Sequence, residues 1–338
     1  MFLRNAWYVA AWADEVTEKL IPMEILAERI VFYRGSDGKC VALEDACPHR
    51  KLPLSMGRLI NDTIVCGYHG LTFDGTGACV EAPTSKAIPP KACVRSYPTT
   101  ERYGLVWIWM GDASQADPEQ IPDIANWSKP DWGYNRGQSM IVDCHYLYLV
   151  DNLLDPTHVT WVHPSSFGDS SCAAVPIETV SKPDGVTASR WIFDAEPAPF
   201  YKKHLKFAGQ CDRYQHYEVR YPSNAIIKAI FTPAGTGGNG KPHHDDIFLM
   251  DSFNFLTPVN ARQTRYFWFQ LRNFAPDDEA VSREFSDDVT AAFEEDRLIL
   301  NAVQIGMDNK VTPNIDIKND LSSFRFRKLL SQKIADDG

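Results

Sequence analysis

The chain has 338 residues, 44% of them hydrophobic and 23% charged, with a net charge of −10 at pH 7 and eight cysteines. The acidic balance argues against a nucleic acid or an anionic membrane surface as partner. No run approaches the roughly eighteen apolar residues of a membrane-spanning helix, and cysteines at irregular spacing in so long a chain do not make a disulfide framework. The length exceeds that of a usual single domain, so two are expected.

The opening run, MFLRNAWYVAAWADEV, has an apolar stretch broken by Asp14 and lacks the shape of a signal peptide. Cys40, Cys79, Cys93, Cys144, Cys172 and Cys211 are expected as reduced and mostly buried thiols, which places the protein in the cytoplasm. Short β-like pieces follow. Arg29–Tyr33 and Val41–Leu43 flank a Gly35-Ser36-Asp37-Gly38 turn, and Leu71–Phe73 leads into the hairpin signal Asp74-Gly75-Thr76-Gly77.

Between these pieces lie Cys47-Pro48-His49 and Cys66-Gly67-Tyr68-His69, separated by sixteen residues. Each run offers one thiolate and one imidazole beside a turn-former. Two Cys and two His could hold zinc or a [2Fe–2S] cluster of Rieske type, with Cys47 and Cys66 on one iron and His49 and His69 on the other. A zinc finger pairs its cysteines together and its histidines together on a helix. The mixed loops here favour the cluster.

Gly104–Trp109 reads as a buried strand, with Trp107 and Trp109 on one face. The polar, Pro-rich stretch from Gly111 to Pro130 reads as a linker, and from about residue 136 the texture is mixed α+β. A helix is expected around 147–163, strands between 188 and 275, and helices after 283. His158 and His163 lie within the first helical stretch, five residues apart. Five residues place them about 140° apart on an ideal helix, so a shared metal needs an irregular backbone, as Pro156 and Pro164 suggest.

His243-His244-Asp245-Asp246 resembles a metal cluster, but adjacent residues in an extended chain face opposite ways. A solvated loop is the expectation there. Gly235–Gly240 lacks the βαβ setting of a phosphate loop. In the last helical region Phe285, Val289, Ala292, Phe293, Leu300, Val303 and Met307 form a stripe of helical period. Asp296 falls within it, while Glu294 and Glu295 are expected to point elsewhere. A buried carboxylate needs a cation or several hydrogen bonds. An ion pair with a core Arg would serve, or His158, His163 and Asp296 could form the two-His, one-carboxylate triad of non-haem Fe(II) with open positions for O₂.

Taken together, CPHR, CGYHG, GLVWIWMGD, VDNLLDPTH, RYFWF and RNFAPDD resemble the oxygenase component of Rieske non-haem iron oxygenases. The likeness is to the short-chain homotrimeric branch that includes vanillate O-demethylase and dicamba monooxygenase. It implies an α+β protein: an N-terminal all-β Rieske [2Fe–2S] domain over 1–115 (with a linker over 111–135), then an α+β helix-grip catalytic domain over 136–338. It implies a [2Fe–2S] cluster, a mononuclear Fe²⁺ and O₂ as co-substrate. Electrons would come from NAD(P)H through a separate reductase or ferredoxin, since the chain has no dinucleotide fingerprint.

By the same resemblance Asp155 is a carboxylate that carries electrons from the cluster of one subunit of a homotrimer to the iron of the next, by way of His69 and His158. It is expected on a helix face near His158. Asn152 matches a residue near the iron, and Asn254 a substrate-facing position. The dicamba enzyme carries His at that position, which counts against dicamba itself. The implied reaction is O-demethylation of a small methoxybenzoate-like aromatic, releasing formaldehyde. Ring hydroxylation or N-demethylation is the alternative, and a Rieske electron carrier is argued against by the second domain. Phe253, Phe255, Tyr266, Phe267, Trp268 and Phe269 are offered as pocket lining, of which alternation admits about half. The sequence singles out no Arg for a substrate carboxylate.

Overall fold

The computed structural model describes residues 1–337 apart from residue 86, residues 169–174 and residues 242–243. Cys172 and His243 lie outside the described residues. The chain divides into two compact units, the first comprising Met1–Ile121, Thr257–Ala261 and Asp337.

The first unit is built from β1 (Trp7–Trp12), β2 (Ile21–Ile25), β3 (Glu28–Arg34), β4 (Cys40–Glu44), β5 (Arg58–Ile60), β6 (Thr63–Val65), β7 (Thr72–Phe73), β8 (Cys79–Glu81), β9 (Thr99–Arg102) and β10 (Leu105–Trp109). These form three antiparallel sheets, ordered β1-β10-β9, β2-β3-β4 and β5-β6-β7-β8. Turn chemistry sets the connections. Asp74 Oδ1 accepts from Thr76 N at 2.9 Å and Ala78 N at 3.1 Å, and Gly77 takes φ +84° where a Cβ would meet Val94 O at 2.2 Å. The alternation of Trp107 and Trp109 is realised as burial of both rings, and Trp109 meets Trp7 edge-on at 5.5 Å. Residues 257–261 join this unit through Leu26 N to Pro258 O at 2.9 Å and Ala27 N to Val259 O at 2.7 Å.

In the second unit an eight-stranded antiparallel sheet is the frame. Its strands are β11 (Gly133–Arg136), β12 (Met140–Val142), β13 (Glu178–Lys182), β14 (Gly185–Ala195), β15 (Cys211–Arg220), β16 (Asn224–Pro233), β17 (Phe248–Asn260) and β18 (Gln263–Arg272). Their order is β11-β18-β17-β16-β15-β14-β13, with β12 also on β18. The helices are α1 (Tyr146–Leu154), α2 (Val159–Val162), α3 (Pro199–Lys202), α4 (Glu279–Asn309) and α5 (Leu321–Asp337). The long α4 begins at its N-cap Asp278, whose Oδ1 accepts from Ala280 N and Val281 N at 2.9 and 3.0 Å. It packs against β11, β12 and α1, and α1 packs on β15 and β16. The aromatic seam between α4 and β18 is Phe293 against Tyr266 at 5.0 Å and Trp268 at 5.2 Å.

Three local expectations change. The linker over 111–135 holds two 3₁₀ turns, Ala113–Gln115 and Pro118–Gln120, capped by Asp112 and Asp117, and it ends inside the catalytic sheet at β11. Gly133 pairs with Arg272, and a Cβ there would lie 2.7 Å from the guanidinium carbon. The helix over 147–163 is two helices, because Pro156 ends α1 and α2 is a single turn. The buried stripe of α4 carries Phe285, Val289, Ala292, Asp296 and Leu300, then continues with Gln304 where Val303 turns outward. Gln304 is held by polar contacts, accepting from His145 N at 2.8 Å and donating to Asp308 Oδ1 at 2.9 Å. Cys40, Cys79, Cys144 and Cys211 are buried free thiols and Cys93 is an exposed one. No helix among the described residues is long and apolar enough to cross a membrane.

Candidate metal centres and the adjoining pocket

The two Cys/His runs fold as near copies. Cys47 N donates to Leu52 O at 2.9 Å and Lys51 N to Cys47 O at 2.8 Å; Cys66 N donates to Leu71 O at 2.8 Å and Gly70 N to Cys66 O at 3.1 Å. Each loop closes with a left-handed residue four places after its cysteine, Lys51 at φ +58° and Gly70 at φ +73°. Both thiols sink into the core with Leu54, Ile64 and Phe73. His49 is exposed and His69 half-buried, with ring centroids 4.5 Å apart. Burial pushes the Cys47 thiol up, the His49 N–H opposes that, and the adjacent Cys66 thiol adds to it. Paired thiols inside and paired imidazoles toward solvent are the donor arrangement a [2Fe–2S] group of Cys₂His₂ ligation requires.

The second centre is assembled from α2 and α4. His158 opens α2 and His163 follows it, so a single helical turn between them brings their rings to 5.5 Å, centroid to centroid. Asp296 comes from the buried stripe of α4. His163 Nε2 lies 3.2 Å and His158 Nε2 3.7 Å from Asp296 Oδ1. The three ligand atoms lie within 4.8 Å of one another, the one such group of His, Cys, Asp or Glu among the described residues. Donors about 2.1 Å from one first-row ion stand about 3 Å apart when adjacent, close to this spacing.

The outer nitrogens show why an ion fits. His158 Nδ1 donates to Asp155 O at 2.5 Å, and His163 Nδ1 lies 2.6 Å from Glu295 Oε2. With the ring protons on Nδ1, both Nε2 lone pairs face a carboxylate oxygen, which is repulsive unless a cation sits among them. Asn152 Nδ2 donates to the same Asp296 Oδ1 at 3.0 Å. Burial pulls the His163 pKa down, but Asp296 and then Glu295 outweigh it and hold it above the usual histidine value. Two neutral imidazoles and one carboxylate make the donor set of a non-haem Fe(II) facial triad.

A pocket of about 560 Å³, counted out to its open mouth, adjoins the triad, and Phe167, Tyr201, Arg213, Tyr217, Met250 and Phe293 line it beside the three ligands. Four placements differ from the expected ones. Asn254 is fully buried and absent from the pocket wall: its Nδ2 donates to Ser252 O at 3.1 Å and its Oδ1 accepts from Tyr266 Oη at 2.8 Å. Phe253, Phe255, Tyr266, Phe267, Trp268 and Phe269 do not line the pocket; Phe253 and Phe255 pack against Phe269, and Tyr266 and Trp268 lie behind the lining residue Phe293. Asp155 is not on a helix face with His158. It caps the end of α1, its carboxylate accepting from Thr157 N at 2.7 Å, and it reaches His158 through its main-chain carbonyl. Glu295, expected to point away, meets His163. His244 is a loop cap whose Nδ1 accepts from Asp246 N at 3.1 Å.

The same chemistry recurs in known proteins. The family model of the Rieske [2Fe–2S] domain matches residues 6–98, and that of the vanillate O-demethylase oxygenase C-terminal domain matches residues 142–336. The toluene-4-sulfonate monooxygenase system iron-sulfur subunit of Comamonas testosteroni is 40% identical over 306 residues, covering 89% of this chain and 88% of that protein. A vanillate O-demethylase oxygenase subunit of a Pseudomonas species is 37% identical over 283 residues, covering 82% and 78%. The crystal structure of dicamba monooxygenase bound to 3,6-dichlorosalicylic acid superposes with a TM-score of 0.89 at 31% identity, over 99% of this chain and 98% of that one. Two domain models in succession and a match along the whole chain settle the lineage: this protein belongs to the Rieske non-haem iron oxygenases, as a monooxygenase component that works with a [2Fe–2S] cluster, a mononuclear iron and O₂.

Proposed function

We propose that this component hydroxylates a methyl carbon carried by a small aromatic acid, with a methoxybenzoate-like compound leaving as a phenol and formaldehyde. The observation that carries this is the opening of the His158–His163–Asp296 group into an aromatic-walled pocket. The relatives' names support the class: vanillate is a methoxybenzoate, and toluene-4-sulfonate an aryl methyl compound with an acidic group.

When bound, the cluster supplies one-electron transfer and the mononuclear iron supplies O₂ activation. Every other part falls to side chains. Asp155 O and Glu295 hold the two imidazoles in one tautomer, and Asn152 holds the carboxylate between them. Phe167, Tyr201, Tyr217 and Phe293 offer ring faces to an arene, and the small Ala292 leaves room beside Asp296. A methyl ether that gains one oxygen atom is a hemiacetal, which loses formaldehyde. The second oxygen atom leaves as water with two electrons and two protons. On an aryl methyl group the same step stops at the benzylic alcohol.

As an oxygenase component the protein takes its electrons from a separate reductase or ferredoxin. We place it in the cytoplasm, as a homotrimer in which His69 of one chain passes electrons through Asp155 to His158 of the next. A groove of the catalytic unit supports this, since Asn152 and Asp155 share it with the exposed apolar residues Val303, Ile315 and Phe324.

The test is a panel of methoxybenzoates and methylbenzenesulfonates with a surrogate reductase, assayed for formaldehyde and for hydroxylated product. About three irons per chain and O₂-dependent product are expected. About two irons and no product from any arene would leave only an electron carrier.

A further inference from the structure

We propose that Ser252 donates a hydrogen bond to the substrate and so selects arenes that carry an oxygen acceptor, a carboxylate, sulfonate or carbonyl, over arenes of the same shape without one. This rests on the oxygenase reading of the site and adds a specificity-determining residue to it.

The sheet sets the position. Side chains alternate along β17, so Met250 and Ser252 share a face, and both line the pocket beside the triad. Ser252 stands opposite Ile227 of β16, and Ile227 opposite Tyr217 of β15, two further lining residues. Between Met250 and Ile227 the Ser252 hydroxyl is a polar point on an apolar stretch of wall. The residue is 5% exposed, so a substrate that fills the pocket leaves it little water to bond.

A chain of bonds behind Ser252 sets the direction of its proton. Arg272 Nη1 donates to Asn135 Oδ1 at 3.4 Å, Asn135 Nδ2 to Gln270 Oε1 at 2.6 Å, and Gln270 Nε2 to Ser252 Oγ at 3.0 Å. All four residues are buried. Arg272 is itself tied down, its Nη2 donating to Ala275 O at 2.9 Å and Ser282 Oγ at 2.8 Å. A guanidinium has donors and no acceptor, so it decides the orientation of each amide in turn. Asn135 must give Arg272 its oxygen and Gln270 its N–H. Gln270 must then give Asn135 its oxygen and Ser252 its N–H. Reversing either amide sets N–H against N–H or oxygen against oxygen.

Ser252 Oγ therefore ends the chain as an acceptor, and its own proton has to go elsewhere. It makes no donor bond among the described residues, and the pocket is the space it borders. Accepting from Gln270 also polarises the O–H outward. An arene with an oxygen at this point completes the chain. One without it leaves a buried donor unpaired, which is how a site built to hydrogen-bond rejects an isostere.

Calorimetric binding without turnover, on enzyme loaded with both metal centres, tests this. The ligands are methoxyacetophenone and isopropenylanisole, which exchange a carbonyl oxygen for a methylene, and methoxybenzoate, each in its ortho, meta and para forms. Each ligand is compared between wild type and Ser252→Ala, so that differences in ligand hydrophobicity cancel. For at least one isomer Ser252→Ala should weaken the ketone about three- to tenfold relative to the alkene, and the carboxylate about ten- to a hundredfold. Ser252→Thr, which keeps a hydroxyl, should lose less. Gln270→Met, close in volume, removes the amide that orients the hydroxyl and should lower the ketone-to-alkene ratio part of the way. No binding of any ketone or carboxylate, equal losses for ketone and alkene in every isomer, or a ratio unchanged in Ser252→Ala or in Gln270→Met would each overturn the proposal. If Gln270→Met does not fold, Ser252→Ala and Ser252→Thr decide. Product assays run alongside separate the two readings. O₂-dependent product with no dependence of the ratio on Ser252 removes the donor and keeps the oxygenase reading; a Ser252-dependent ratio without product from any arene does the reverse.

Discussion

Glu295 Oε2 lies 2.6 Å from His163 Nδ1, on the opposite edge of the imidazole from Asp296, whose Oδ1 lies 3.2 Å from Nε2. Two consecutive residues of α4 thus clamp one ring. A carboxylate on the outer nitrogen fixes the tautomer and raises the basicity of the inner one. Glu295→Ala should weaken retention of the mononuclear iron by about ten- to a hundredfold, and Glu295→Gln, which keeps an acceptor, by less. Iron remaining after dialysis against a graded chelator reads this, with the visible spectrum of the cluster as internal control. Wild-type retention in Glu295→Ala would reduce Glu295 to a surface acid near a ring.

Asp296→Ala removes the oxygen on which both Nε2 atoms and Asn152 Nδ2 converge. The expected protein keeps the cluster spectrum, loses about one iron per chain and makes no product. Full activity with unchanged iron content would remove the triad from the mechanism.

Much of both metal centres was legible because their ligands announce themselves locally. Cys47, His49, Cys66 and His69 sit in two short loops, and Asp296 stands out as a carboxylate on an apolar stripe. A helix wheel of α4 turns Glu295 away from the apolar stripe, but the ring it meets arrives from α2, of which the wheel holds no record. The substrate wall was illegible for a related reason. Alternation tells that Arg213 and Tyr217 share a face, but which face borders a cavity depends on how α4 crosses the sheet. Resemblance sets Asn254 at a substrate-facing position, whereas its bond with Tyr266 is a tertiary contact no spacing encodes. Pro156 and Pro164 signal an irregular backbone in the sequence, but nothing in it shows that Asp155 holds His158 by its carbonyl.

His145 makes fold stability depend on pH. Burial pulls its imidazole down to about 4, with the Arg327 cation adding to the effect. Its Nδ1 accepts from Leu147 N at 3.3 Å as the N-cap of α1, a task for the neutral ring. In the unfolded chain the ring titrates near the ordinary histidine value of about 6.5. Between about 6.5 and 4 the unfolded state takes up a proton that the folded state refuses, so this contribution is full above that window and is lost as pH falls through it. A cation there would also oppose the helix dipole. Thermal melts from pH 7 to pH 5 should show a falling midpoint. His145→Asn, which keeps a capping acceptor without titrating, should flatten part of the slope. Superimposable slopes for the two proteins would clear His145.

Asp155→Asn isolates the proposed crossing between subunits. The Asp155 side chain accepts from Thr157 N and Thr157 Oγ1, while the bond to His158 uses the main-chain carbonyl. An amide oxygen can keep the Thr157 bonds, and the substitution leaves the carbonyl in place, so both metal centres should load and the external reductase should still reduce the cluster. What disappears is the negative charge and its ability to accept a hydrogen bond on each oxygen. Single-turnover oxidation of the cluster in the presence of O₂ and substrate should slow by orders of magnitude, and product should nearly vanish. Mixed assemblies make the test specific. A His69→Ala chain has no complete cluster but an intact Asp155 beside its iron site, and an Asp155→Asn chain has the reverse. In the proposed trimer the second donates to the first, so co-refolded mixtures should recover activity that neither variant shows alone. Mixed trimers confirmed by mass and still inactive would mean that electrons stay within one chain, with no role for the neighbour.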